Sequence, residues 1–156
     1  MDPANYFAGF YDTLHGKLPW FGTGLEESLE PIPEADWFRP VGHRSIAQLV
    51  GHMLAWRYDM LKRLRGEPRQ RIELNSPEDW PECGGRTKDD YLRELARTKA
   101  ELQREIRRFD YAKLYEHVHP DYPYTNVQLL EGNAHHDIYH LGQINLIAAL
   151  LKNGAA

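Results

Sequence analysis

The sequence contains a single cysteine, Cys83, and no long uninterrupted apolar run. One cysteine cannot form a disulfide within the chain, so we expect a reducing compartment and a cytoplasmic protein. No stretch approaches the ~20 consecutive apolar residues of a membrane span, and the N-terminus lacks the pattern of a signal peptide. The net charge of −4 gives no electrostatic reason to expect nucleic acid. We therefore expect neither a membrane nor a nucleic acid as partner.

Several common catalytic patterns are also absent. The sequence has no G-x-S-x-G motif, no phosphate-binding glycine loop and no clustered pair of carboxylates. It also has no internal repeat and no alternating strand pattern of useful length. These absences argue against the common hydrolase and nucleotide-binding chemistries and against a β-sheet protein.

Helical periodicity dominates the first half of the chain. One helix is predicted over residues 3–29, with a kink or a split near Pro19 and the glycines that follow it. A second helix is predicted over Ser45–Arg65. Its start is marked by a capping box, in which Ser45 and Gln48 each satisfy an amide of the first turn.

Two further helices are predicted in the second half, from Thr87 to about Arg108 and from Thr125 to about Lys152, each opened by another capping box. The long connection Gly66–Arg86 allows helices 2 and 3 to run parallel, by crossing over from one end to the other. Residues 110–124 look irregular. We therefore predict an all-α four-helix bundle in which residues 1–156 form one domain.

The fourth helix carries a polar stripe on an otherwise apolar surface. His136 and His140 are four residues apart, so their imidazoles lie one turn apart on one face. A helix that is apolar nearly all round is buried, and buried imidazoles need partners for their nitrogens. A metal ion would meet that need. The spacing is equally compatible with histidines that hydrogen-bond to the backbone, Asn133 or Gln143 and line a water-filled cleft.

His52 strengthens the hypothesis of a metal site. It lies at the edge of the apolar face of helix 2, and facing helices of a bundle deliver ligands to a common interior point. Taken alone, it is better explained as a boundary residue. With two imidazoles from helix 4 it would complete a three-histidine site with open positions, which is typical of catalytic zinc.

The remaining histidines are expected to play other roles. His135 is adjacent to His136 in the sequence, so on a helix its side chain points about 100° away from that of His136 and cannot join the same site. His117 and His119 lie in a loop and could approach the mouth of the site, although surface positions are expected for them, as for His15 and His43.

Two segments together resemble a known family. Residues 39–56, R-P-V-G-H-R-S-I-A-Q-L-V-G-H-M-L-A-W, and residues 135–144, H-H-D-I-Y-H-L-G-Q-I, are similar to the DinB-like superfamily of metalloenzymes, which includes the YfiT-like proteins. The resemblance follows essentially the full chain in its order of helices. It is most specific at the histidine of helix 2 and at H-x-x-x-H-x-G-Q of helix 4.

The resemblance implies an up-down-down-up four-helix bundle, frequent homodimers and a divalent metal, usually zinc or nickel. The superfamily's ligands map to His52, His136 and His140. Characterised relatives include thiol-dependent S-transferases and a mycothiol-dependent isomerase, whereas most members have no assigned activity. In such a transferase, the metal would bind a low-molecular-weight thiol as the nucleophilic thiolate.

Three polar residues lie within a turn of these ligands and are candidates to orient the imidazoles: Asn133, Asp137 and Gln143. The leading hypothesis is a metal-dependent transferase or hydrolase. The alternative is a non-catalytic homodimeric bundle that binds metal or a small ligand in a stress response. An enzyme keeps a coordination position open, whereas a structural site is closed by a fourth protein ligand, for which His117 and His119 are the candidates.

Overall fold

The computed structural model describes residues 2–16, 19–68, 71–118 and 123–154. Within these ranges the chain is helical, and the only β-type pairings are two isolated bridges. The helices are α1 Pro3–His15, α2 Leu25–Leu29, α3 Glu34–Trp37, α4 Ile46–Arg65, α5 Lys88–Arg108 and α6 Asn126–Lys152, with a single 3₁₀ turn at Tyr111–Lys113. No helix in these ranges has both the length and the apolar character that a membrane span requires. The predicted all-α class is confirmed.

The long helices begin where the capping boxes predict. The Ser45 hydroxyl accepts from the amide of Gln48, whose side chain accepts from the Ser45 amide. Thr87 and Asp90 form the same reciprocal pair at the start of α5. α4 ends at Gly66, which has a φ of 65°. Glycine adopts this left-handed conformation without the steric cost that a Cβ imposes, and it thereby ends the helix.

The first predicted helix is split, as its glycines indicate. α1 ends at His15, and α2 starts after Gly24, whose backbone lies against that of Gly16. A Cβ on Gly24 would overlap the Gly16 carbonyl oxygen, so only glycine fits. This approach turns α2 back over the end of α1. Leu18, which continues the apolar pattern of α1 in the sequence, lies outside the described residues.

The segment before α4 contains more structure than its irregular sequence predicts. It forms α3 and the isolated bridge between Val41 and Arg44. Trp37 is fully buried, and its ring lies 5.9 Å from that of Tyr91 on α5. This contact ties the segment to the core.

The four long helices share one core. α4 packs on α5 and α6, and α1 packs on the same two helices. α5 buries one stripe, which includes Leu95, Leu102 and Ile106, and exposes its charged face. Burial of each such side chain contributes about 1.5–3 kcal/mol. α6 likewise contacts two long helices, α1 and α4, and exposes an outer face that includes Tyr139 and Leu146. Burial within the chain therefore accounts for only part of its apolar circumference.

Candidate metal site

Three histidines converge between α4 and α6. Nε2 of His136 lies 2.9 Å from Nε2 of His52 and 3.1 Å from Nε2 of His140. Each of the three offers a nitrogen within 4.8 Å of the others, and this group could hold a metal ion. The structure therefore brings together the three residues that the sequence selects. The spacing along α6 supplies two of them, and helix packing supplies His52.

The hydrogen bonds around the rings direct their lone pairs toward one another. Nδ1 of His52 lies 2.7 Å from the Asp79 carbonyl oxygen, and Nδ1 of His140 lies 2.6 Å from Oε1 of Gln143. Since both partners are acceptors, each Nδ1 carries the proton and each Nε2 is left with its lone pair. Two or more lone pairs that face one another repel, and a cation between them removes that repulsion. The donor set thus fits a divalent transition metal.

The ring of His136 has a buried nitrogen without a hydrogen bond in the described part of the chain. Its Nδ1 lies 3.8 Å from Oδ1 of Asp137, and neither atom has a hydrogen-bond partner there. A proton on Nδ1 of His136 would face this acceptor and leave Nε2 as a third lone-pair donor. Unsatisfied buried polar atoms are rare in folded proteins, and this pair adjoins the histidine cluster.

Burial favours the neutral form of the imidazoles, which is the form that binds metal. It is the main cause that lowers the pKa of His140 to about 4, and the neighbouring His136 and His52 add to the effect. Burial also lowers the pKa of His52. Both side chains are therefore uncharged at neutral pH and available as donors.

The connection between α4 and α5 contributes two residues that sequence analysis missed. Asp79 is 2 % exposed, and its carboxylate accepts from Trp56 Nε1 at 2.8 Å and from the Asn75 amide. Its Oδ1 also lies 3.1 Å from Nδ1 of His52. The ring of Trp80 stacks on that of His52 at a centroid distance of 4.1 Å. No periodicity marks this segment, so nothing in the sequence connects it to the site.

The three polar residues that the sequence predicts to orient the imidazoles, Asn133, Asp137 and Gln143, have different environments. Gln143 contacts His140 directly. Asn133 instead accepts from the Tyr11 hydroxyl at 2.6 Å and donates to the Trp56 carbonyl. Of the three, only Gln143 hydrogen-bonds to one of the clustered rings, although Asp137 lies close to His136.

Asp137 belongs to a buried ionic network behind the cluster. Its Oδ2 accepts from Nε of Arg57 at 2.7 Å, and both side chains are fully buried. The guanidinium also donates to the Leu95 carbonyl and the Thr98 hydroxyl, each at 3.1 Å. This network anchors α4 to α5 and α6 directly beneath the histidines.

His15 corrects one expectation about the remaining histidines. The sequence suggests a surface position, but the residue is 3 % exposed and its Nε2 lies 3.2 Å from Nη2 of Arg57. The return of α2 over the end of α1 covers it, and burial lowers its pKa to about 2. His43 and His117 are exposed as expected, and His135 is exposed and lies outside the cluster. His119, the other candidate to close the site, lies outside the described residues.

A cleft of about 570 Å³ opens beside the histidine cluster, between α4 and α6. Its volume is within the range of about 300–1,000 Å³ typical of small-molecule sites. Its walls are mostly apolar. The described residues that line it are His52, Trp56, Asp59, Met60, Arg63, Arg71, Ile72, Leu74, Val118, Tyr124, Gln128, Leu129, Gly132, Asn133, His136, Tyr139 and His140.

The family model described as the DinB superfamily matches residues 22–144, a range that contains all three clustered histidines together with Asp79 and Asp137. No curated protein and no solved structure matches the chain significantly.

Proposed function

The chain belongs to the DinB superfamily, and on that premise we propose that it is a divalent-metal-dependent enzyme with zinc or nickel held by His52, His136 and His140. The convergence of the three Nε2 atoms carries this proposal. Their lone pairs face one another, and imidazole nitrogen is a preferred donor for both metals.

We further propose that the reaction is the transfer of a low-molecular-weight thiol. A divalent cation lowers the pKa of a coordinated thiol, so that the nucleophilic thiolate predominates. The chain's own residues hold the rings in place: the Asp79 carbonyl and Gln143 fix the proton of two imidazoles on Nδ1. Trp80 covers one face of His52 and keeps water from it. The adjoining cleft would admit the electrophilic substrate.

A catalytic role fits the donor set better than a structural role does. Among the described residues, the group of possible ligands near His52 contains three histidines and no fourth side chain. His117 is exposed and is not a member of this group. A site closed for stability needs a fourth protein ligand, whereas a catalytic site leaves that position to water or substrate.

The proposal includes the architecture and assembly of the protein. Contacts of α4 with α5 advance in the same direction along both helices, from Tyr58–Glu94 to Arg65–Glu101. This supports parallel helices joined by the long crossover, and hence the up-down-down-up bundle in one domain.

A homodimer is supported by the outer face of α6, where Tyr139 and Leu146 are 65 % and 61 % exposed. A cytoplasmic location is proposed because the chain has one cysteine.

Elemental analysis of the purified protein tests the metal site. We expect about one equivalent of zinc or nickel per chain in the wild type, and its loss in His52→Ala, His136→Ala and His140→Ala. His135→Ala is the matched control, because His135 is on the same helix and exposed but outside the cluster. Metal-free wild type that takes up neither zinc nor nickel would contradict the proposal.

The thiol-transfer step needs a separate assay. The metal-loaded protein is mixed with a low-molecular-weight thiol and an electrophile, and thiol consumption is followed against the His136→Ala variant. We expect consumption only with the loaded wild type. Full metal loading without thiol consumption across a panel of thiols would favour a non-catalytic metal-binding bundle instead.

A further inference from the structure

Trp80 contacts two of the three clustered histidines. Its ring is stacked on that of His52, with a centroid distance of 4.1 Å and an angle of 10° between the planes. It meets the ring of His140 edge to face, at a centroid distance of 6.3 Å and an angle of 89°. The crossover between α4 and α5 therefore contributes an aromatic wall to a site whose candidate ligands come from α4 and α6.

The stack restricts a motion of His52 that its hydrogen bond leaves free. Nδ1 of His52 donates to the Asp79 carbonyl at 2.7 Å, which fixes one atom of the ring. The torsion about the Cβ–Cγ bond of a histidine has broad minima, so one hydrogen bond holds the plane of the ring only loosely. A turn about that bond carries Nε2 away from the other two histidines. The parallel indole blocks this turn by van der Waals contact.

A second group holds the indole in place. Cζ of Arg44 lies 3.9 Å from the centre of the Trp80 ring, within the ~6 Å over which a guanidinium is attracted to an indole face. Arg44 directly precedes the N-cap of α4, and its carbonyl accepts from the Val41 amide at 2.9 Å. The amide of Trp80 donates to the Ser76 carbonyl at 3.0 Å. The backbones on both sides of this contact are thus held by hydrogen bonds.

We propose that Trp80 is a positioning residue, which holds the imidazole of His52 in the plane in which Nε2 faces His136, and that Arg44 supports it. The indole binds no metal. It acts by removing orientations of His52 in which the ring cannot join the other two donors. Partners that orient a ligating histidine contribute about 10–100-fold to metal affinity. The orientation of the ring is a property of the metal-free chain, whereas its effect on metal binding rests on the proposed metal-dependent function.

Nuclear magnetic resonance of the chelator-treated protein tests the orientation without metal. The ring of His52 is stacked on the indole, so the ring current should shift its proton resonances upfield of those of the exposed His43. Trp80→Leu keeps an apolar side chain but removes the flat aromatic surface, and we expect the upfield shift to disappear. His52→Gln assigns the resonances. Wild-type resonances without the upfield shift, or resonances that stay unchanged in Trp80→Leu, would overturn the proposal.

Zinc titration against a competing chelator tests the effect on the site. Trp80→Leu should weaken zinc binding at least about tenfold. Trp80→Phe should stay within about threefold of the wild type, because its flat ring restores the stack. Trp20→Leu is the matched control, since Trp20 is fully exposed, and it should bind zinc as the wild type does. Equal losses in Trp80→Leu and Trp80→Phe would overturn the positioning role.

The absorption spectrum of the cobalt-loaded protein gives a readout that a loss of stability alone does not change. Visible bands of cobalt report the geometry of its donors. We expect the bands to shift in Trp80→Leu and to return to the wild-type position in Trp80→Phe. Identical spectra in the wild type and Trp80→Leu would mean that the indole does not set the orientation of His52, and would overturn the proposal.

Arg44→Gln tests the support of the indole. We expect it to weaken zinc binding by about two- to fivefold, because the indole loses its contact with the guanidinium. The loss of charge alone acts in the opposite direction, since removal of a nearby cation favours a bound metal ion. In the Trp80→Leu background the same substitution should cause no further weakening, because Arg44 acts through the indole. Unchanged or tighter binding in Arg44→Gln, or additive losses in the double variant, would overturn the role of Arg44.

The outcomes separate this proposal from the metal site. A wild type that shows the upfield shift but takes up neither zinc nor nickel would support the orientation of His52 by Trp80 and refute the metal-dependent function. Zinc uptake that is the same in Trp80→Leu and in Trp20→Leu would support the metal site and overturn the positioning role.

Discussion

The buried ion pair of Arg57 and Asp137 allows a direct test of how much the ionic network beneath the histidines contributes to the free energy of unfolding. Arg57→Met keeps an unbranched apolar stem, although it is shorter than arginine, and removes every donor. Asp137 is then left as a buried carboxylate without its partner at 2.7 Å, and the Leu95 carbonyl and Thr98 hydroxyl each lose a donor. Removal of one partner from a buried ion pair costs about 3–5 kcal/mol. That is a large share of the ~5–15 kcal/mol that stabilises a typical domain.

Urea unfolding of the chelator-treated protein, followed by circular dichroism, measures this loss. The control is Lys113→Ala, because Lys113 and its partner Asp110 are both 59 % exposed and 3.8 Å apart. Exposed pairs contribute about 0–1 kcal/mol, so this variant should unfold close to the wild type.

A double variant separates the ion pair from simple packing. Arg57→Met combined with Asp137→Leu removes both charges and fills the space with apolar atoms. Because replacement of a whole buried pair is often neutral or stabilising, we expect it to recover most of the stability lost in Arg57→Met. A loss below about 1 kcal/mol in Arg57→Met would refute the reasoning, since it would mean that the buried carboxylate does not need its partner.

Two further predictions concern the histidines. Asp79→Asn keeps the backbone carbonyl that Nδ1 of His52 contacts but replaces the carboxylate whose Oδ1 lies 3.1 Å from that nitrogen. Because such a carboxylate orients a ligating imidazole, zinc binding should weaken by about 10–100-fold; titration against a competing chelator measures this, and unchanged affinity would exclude a role for the carboxylate. Stability of the metal-free protein should fall as the pH decreases below 6.5, since His15 and His140 have folded-state pKa values of about 2 and about 4 and the unfolded chain binds more protons. Their contribution is fully present above pH 6.5 and is lost as the pH falls toward those values. Melting temperatures between pH 7.5 and 4.5 test this, and His15→Gln should flatten the slope, whereas an unchanged slope would contradict it.

The sequence determined the features that depend on local geometry. Helix starts follow from side chains that bond to amides three residues away, so Ser45 and Thr87 mark α4 and α5 without knowledge of the rest of the chain. The pairing of His136 with His140 follows from the helical repeat for the same reason. The position of His52 at the edge of an apolar face limits where its side chain can point, and the packing of α4 on α6 brings it next to the other two histidines.

Only the tertiary structure decided which side chains surround the cluster. Asp79 and Trp80 lie in a connection without periodicity, and they reach His52 because that connection folds back over α4. His15 is buried because the backbone approach of Gly24 to Gly16 returns α2 over it. These contacts join residues far apart in sequence, and their energies come from burial and from charge pairing across helices. Local sequence patterns indicate neither the burial nor the charge pairing. The residues around the site can therefore be identified only from the folded chain.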